Sequence, residues 1–122
     1  MNLRTVSAAA VCLSACVLVP GCHSYRIDVV VENRTGAALD LLEVDYPSAS
    51  FGADKLASGA DYRYRITVRD SGPVKVQYTE SASQKLHQMT GPTLSEHQEG
   101  RLEIVLLPDG KAEFHSAFVP QK

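Results

Sequence analysis

The residues best suited to chemistry begin with His87-Gln88-Met89, which sets an imidazole and a thioether two positions apart. On a strand, alternate side chains leave from the same face, so both groups would address one ligand. Imidazole and thioether together suit a soft or borderline metal. The remaining histidines, His23, His97 and His115, are scattered without the spacing of a zinc site, and the only other methionine is Met1. His87 and Met89 are therefore candidates for a ligand or metal site, set against plain packing and surface roles. Ser81, Ser83 and Ser95 lie near His97 and several acids, but nucleophilic catalysis needs a nucleophile, a base and an orienting group within hydrogen-bond reach. No nucleophile elbow frames any of these serines. Neighbours in Ser95-Glu96-His97 point apart on an extended chain, and a solvated loop is expected there. Asp40, Glu43 and Asp45 read as the wet side of a strand. No catalytic residues and no cofactor are expected.

Two further groups could bind rather than react. Arg63, Arg65, Arg69 and Lys75 are expected on the outer face of two adjacent strands. There they could meet anionic headgroups or an acidic partner, or pair across strands with Asp40, Glu43 and Asp45 at about 0.2–1 kcal/mol each. Pairing is the expectation. Tyr62, Tyr64 and Tyr78 could line a carbohydrate groove, but inward tyrosines with hydroxyls at the rim are the expected arrangement. Asn33-Arg34-Thr35 matches a glycosylation pattern and is read as a turn.

The elements that must position these groups are strands. Tyr25, Ile27, Val29 and Val31 alternate with Arg26, Asp28 and Glu32, the pattern of a strand with one buried face. Asn33 to Gly36 turns the chain. Leu39 and Leu41 share one parity and Leu42, Val44 and Tyr46 the other, so an extra residue, a β-bulge, is expected near Leu41-Leu42. Pro47 closes that strand, and Ser48 to Gly59 is loop-like with a short strand around Phe51 to Leu56. Tyr62, Tyr64, Ile66 and Val68 alternate with Arg63, Arg65, Thr67 and Arg69; Asp70 to Pro73 turns; Val74, Val76 and Tyr78 follow. These two strands read as a hairpin. Thr79 to Gly100 is polar, with Gly91-Pro92 as punctuation, and a short strand or helical turn is expected around Lys85 to Thr90. Leu102, Ile104 and Leu106, then Pro108-Asp109-Gly110, then Ala112, Phe114, Ser116 and Phe118 complete the series. About seven to eight short strands and no long amphipathic helix predict an all-β fold, an antiparallel β-sandwich. With no tryptophan and no cysteine after Cys22, a Cys-Trp-Cys framework is excluded.

The segment before the strands has a different character. Arg4 supplies a positive n-region, Val6 to Val19 an apolar run, and Gly21 a small residue before Cys22, which together read as a secretory signal. The run is short and alanine-rich for a bilayer span, which needs about 20 apolar residues. Leu18-Val19-Pro20-Gly21-Cys22 resembles the lipobox of bacterial lipoproteins. Leu13-Ser14-Ala15-Cys16 also fits, but cutting there would leave Val17 to Pro20 exposed at the mature terminus, so Cys16 is the alternative. The resemblance implies a signal peptide over residues 1–21, a diacylglycerol thioether and an amide-linked acyl chain on Cys22, a tether over 22–24 and a β-sandwich over 25–122. His23 follows the cysteine where an Asp resembles an inner-membrane retention signal, which implies the outer membrane, facing the periplasm. Arg34-Thr35-Gly36, Leu56-Ala57-Ser58-Gly59 and Pro108-Asp109-Gly110 resemble turns of small immunoglobulin-like sandwich domains on bacterial envelope proteins. The His-x-Met pair resembles half of a periplasmic copper-chaperone site.

Composition bounds the rest. The formal charge of the 122-residue chain is −2 and its pI about 6.0, which lacks the basic footprint that nucleic-acid binding requires. A chain of this size folds as one domain, burying roughly two-thirds of its unfolded surface. The expectation is an anchored, non-enzymatic envelope module with a membrane contact and an envelope protein partner; the alternative is a periplasmic small-ligand or metal binder.

Overall fold

The computed structural model describes residues 24–120; Cys16, Cys22 and the whole signal segment lie outside the described residues. Eight strands form the body: β1 (Ile27–Asn33), β2 (Leu39–Tyr46), β3 (Ala49–Leu56), β4 (Asp61–Ile66), β5 (Gly72–Glu80), β6 (Leu86–Leu94), β7 (Gly100–Leu107) and β8 (Lys111–Phe118), with a 3-10 turn at Pro108–Gly110 between the last two. They make two four-stranded sheets. Sheet A has the order β4-β1-β7-β8 and sheet B the order β3-β2-β5-β6.

The period-two apolar sets face one another across the sandwich. Ile27, Val29 and Val31 of β1 and Leu102, Ile104 and Leu106 of β7 meet Leu39, Leu42 and Val44 of β2 and Val74, Val76 and Tyr78 of β5 in one core. Burial of such side chains contributes roughly 1.5–3 kcal/mol each. β2 accommodates both of its parities as expected. Its register with β5 shifts between Asp40 and Glu43, and Leu41 is thrown outward at φ 52, 64 % exposed.

Strand pairing departs from expectation in three places. β4 pairs with β1, opposing Ile66 to Ile27 and Tyr64 to Val29, whereas β5 pairs with β2 and β6; the expected hairpin between them does not form. Alternation reveals which face a strand buries, and both strands bury a face in the same core from opposite sheets. The intervening 67–71 segment is long enough to cross the ~10 Å between packed sheets. Second, β1 and β7 run parallel in a fold that is otherwise antiparallel. Third, β3 starts at Ala49 and β6 runs on to Leu94, so Gly91-Pro92 lies inside a strand. β6 is an edge strand, where proline's missing N–H costs little. Gly91 is required by packing, because a Cβ there would come within 2.5 Å of the Phe114 ring on β8.

Strand direction defines two poles. The N-terminal pole gathers the start of β1, the 67–71 and 95–99 connections and the end of β8. The far pole gathers the β1–β2, β3–β4, β5–β6 and β7–β8 connections.

Candidate functional site

Along β5 the inward parity runs Val74, Val76, Tyr78 and then Glu80, so the core-facing row ends in a carboxylate at the far pole. Tyr78 opposes His87 and Val76 opposes Met89. His87 and Met89 therefore share a face, as alternation requires, and that face is the inner one. Met89 packs against the core. His87 Nε2 lies 2.8 Å from Glu80 Oε1, and its ring centroid is 5.1 Å from that of Tyr78. The other nitrogen, Nδ1, abuts Gly110, where a Cβ would come within 2.6 Å of it.

The β5–β6 turn holds Glu80 in place. Ser83 Oγ donates to Glu80 Oε2 over 3.1 Å, and the Gln84 amide donates to the Glu80 carbonyl over 2.8 Å. Ser81 Oγ donates to Asp40 Oδ1 over 2.7 Å. Both serine hydroxyls thus serve carboxylates instead of His87. Bonds from His87 and Ser83 hold the Glu80 carboxyl below its ordinary value of 4.5. A lowered carboxylate contributes stability that is full above its unfolded value and lost as pH falls through its folded one. Glu80→Gln is therefore expected to flatten the acid side of the stability curve below about pH 4.5; urea midpoints measured across that range check it.

The same row carries an uncompensated group. Tyr78 is 1 % exposed, and its hydroxyl has no hydrogen-bond partner among the described residues. Burial and the Glu80 charge push its ionisation upward. An unpaired buried hydroxyl costs roughly 1–3 kcal/mol. Tyr78→Phe is expected to raise stability by about 1 kcal/mol, read from the unfolding midpoint.

The other sequence candidates disperse. Ser95 N donates to Gln98 Oε1 over 3.0 Å, while His97, at φ 67, sits 4.8 Å edge-on to the Tyr25 ring. Arg63 and Arg65 lie on β4 in sheet A, away from Asp40, Glu43 and Asp45 on β2 in sheet B; the expected stripe and its expected pairings are both corrected. Of the four expected cations Lys75 alone stands opposite one of those acids, Asp45, while Asp40 faces Lys55 of β3. Glu43 is held above its ordinary value by hydrogen bonding to, and the charge of, Asp45. Tyr78 is separated from Tyr62 and Tyr64, which stack with Phe51 of β3 at the open rim; the Phe51 and Tyr64 rings are 4.8 Å apart and 8° from parallel.

Sequence reading missed Glu80 and Asn33. Both continue an inward parity, after Tyr78 and after Val31, which is the signal that could have found them. Asn33 is fully buried, and the amide that a glycosylation pattern would modify is bonded to three backbone carbonyls. Among the described residues no three His, Cys, Asp or Glu side chains converge as a metal site. Taken together, the far-pole arrangement is an oriented Glu–His pair that ties β5, β6 and the Pro108–Gly110 turn.

No family model and no curated protein matches the chain. Among solved structures, the NMR structure of a protein from Eubacterium rectale aligns at TM-score 0.54 and 14 % identity, covering 80 % of this chain and 90 % of that one. At that identity the likeness is one of fold: this chain is similar to a bacterial protein in its small all-β, sandwich-like architecture.

Proposed function

We propose that this protein is a lipid-anchored component of a bacterial cell envelope, acylated on Cys22, whose β-sandwich serves as a non-enzymatic interaction or structural module in the periplasm, held by the outer membrane. The observation that carries the reading is the start of β1 at Ile27, directly behind the lipobox-like Leu18 to Cys22. The four residues between Cys22 and Ile27 span at most roughly 17 Å when extended, so the anchor holds the N-terminal pole near the bilayer and directs the far pole away from it. Two or three acyl chains make such attachment stable where a single chain binds reversibly. The polar side chains of the far pole close turns and link strands, a scaffold's use of them. With Nε2 bonded to Glu80, a small-ligand or metal site at His87 and Met89 would have to use Nδ1, which abuts Gly110, and withdraw Met89 from its packing against the core, so the anchored module is the reading adopted.

Metabolic labelling with an alkyne fatty acid in a two-membrane bacterium tests it. The wild type and Cys16→Ser are expected to label, and Cys22→Ser is not. Equal labelling of Cys22→Ser and wild type would contradict acylation at this residue.

A further inference from the structure

Five of the seven arginines in the chain border two clefts at the N-terminal end of sheet A. One cleft, of about 510 Å³, is lined by Arg63, Arg65 and Arg101 around Asp28 and Val30. The other, of about 490 Å³, is lined by Arg26 and Arg69 with Tyr25, Thr67, Glu96 and His97. They adjoin, because Arg26 and Asp28 are near neighbours along the start of β1, as are Arg65 and Thr67 at the end of β4.

Register explains the crowding. Asp28 lies between Arg65 of β4 and Arg101 of β7, and its carboxylate bonds Arg65 Nε at 2.7 Å. Arg63 reaches Asp61 only at 4.0 Å. Arg26, Arg69 and Arg101 enter no ion pair among the described residues. Five guanidinium groups thus share their clefts with two carboxylates, Asp28 and Glu96, although the whole chain is net acidic. The guanidinium fork matches phosphate oxygens bidentately and is weakly hydrated, so arginine suits phosphate recognition at a surface.

We propose that this arginine-lined face binds the phosphate groups of anionic phospholipids in the membrane that carries the anchor. The inference rests on the anchored reading, which brings the N-terminal pole within headgroup reach. Each arginine near an anionic surface multiplies affinity by about fivefold, so the face would lay sheet A's N-terminal end on the bilayer and fix the orientation of the sandwich. Arg65 is partly neutralised by Asp28 and Arg63 lies 4.0 Å from Asp61, which leaves Arg26, Arg69 and Arg101 outside any ion pair among the described residues.

The test uses the full protein extracted from membranes, reconstituted on vesicles of phosphatidylcholine alone or with phosphatidylglycerol, floated on a gradient and followed by amide exchange. Flotation with both vesicles is expected, with exchange over residues 61–69 about tenfold slower on the anionic ones. High salt should abolish the difference, as should the triple variant Arg63→Gln, Arg69→Gln, Arg101→Gln, which leaves the Arg65–Asp28 bond in place. Should the variant misfold, the salt comparison on wild type decides alone. Equal exchange on both vesicles, or slowing that salt does not relieve, overturns the proposal and leaves the anchor standing. Flotation with anionic vesicles alone supports the arginine face and overturns the anchor, and flotation with neither overturns both.

Discussion

Asn33→Ala is expected to lower stability by about 3–5 kcal/mol, read as a fall in the urea midpoint of the protein. Asn33 ends β1 on the inward parity, fully buried, the only buried polar residue among those described. Its Nδ2 donates to the carbonyls of Ala37, Leu56 and Ala57 at 2.8, 3.1 and 3.1 Å. Its Oδ1 accepts from the Thr35 amide at 3.1 Å and the Thr35 hydroxyl at 2.7 Å. One side chain therefore joins the β1–β2 connection to the end of β3. Alanine removes every one of these bonds, at roughly 0.5–1.5 kcal/mol each, and opens a cavity, while the Ala57 carbonyl keeps the Ala60 amide and the Ala37 carbonyl the Thr35 hydroxyl as donors. Asn33→Asp, which keeps the shape and has no N–H to offer, should be at least as damaging. If Asp were tolerated where Ala is not, packing and not hydrogen bonding would be the cause.

Gly100→Ala should cost about as much, for a different reason. Gly100 opens β7 at φ +140, and an added Cβ would lie 2.2 Å from the Ala117 carbonyl oxygen and 2.9 Å from the Phe118 Cα. Both obstacles are backbone atoms of β8, so no side-chain rotation relieves them. Gly100 is also paired with Ile27 on β1 and Phe118 on β8, so displacement there disturbs three strands at the N-terminal pole. Backbone strain of about 1–3 kcal/mol adds to overpacking of similar size. The contrasting control is Gly59→Ala, at φ +80 with open space around its Cβ position; it meets the backbone term without the collision and should cost measurably less.

Much of the core was legible because inward parity marks the core-facing rows of β1, β5 and β7. Ile27 to Val31, Leu102 to Leu106 and Val74 to Tyr78 are buried as their alternation requires, and the parity switch at Leu41-Leu42 marks a real bulge. Partner choice was not legible. Tyr62 to Ile66 would bury the same side chains beside β5 in one sheet or beside β1 in the other, and only long-range pairing decides between them. Gly91-Pro92 reads as a break by local propensity, yet an edge strand with Phe114 lying over Gly91 accepts both residues.

The site residues show the same division. Alternation correctly sets His87 and Met89 on one face, but their partners, Glu80 from β5 and Gly110 from the β7–β8 turn, are distant in sequence or hidden by turn-like composition. The arginines looked like a stripe shared with Lys75 because β4 and β5 are consecutive; the sheets instead separate Lys75 and bring Arg26 and Arg101 to Arg63 and Arg65. Asn33 was read from its neighbours Arg34-Thr35-Gly36 as part of a turn, and it does begin one. Its buried amide is nevertheless what holds that turn to the body.

Intact-mass spectrometry of the protein extracted from membranes tests the central claim most directly. The account predicts a chain beginning at Cys22 whose mass exceeds that of residues 22–122 by a diacylglycerol and one further acyl chain. An unmodified chain, or one beginning anywhere other than Cys22, would contradict it.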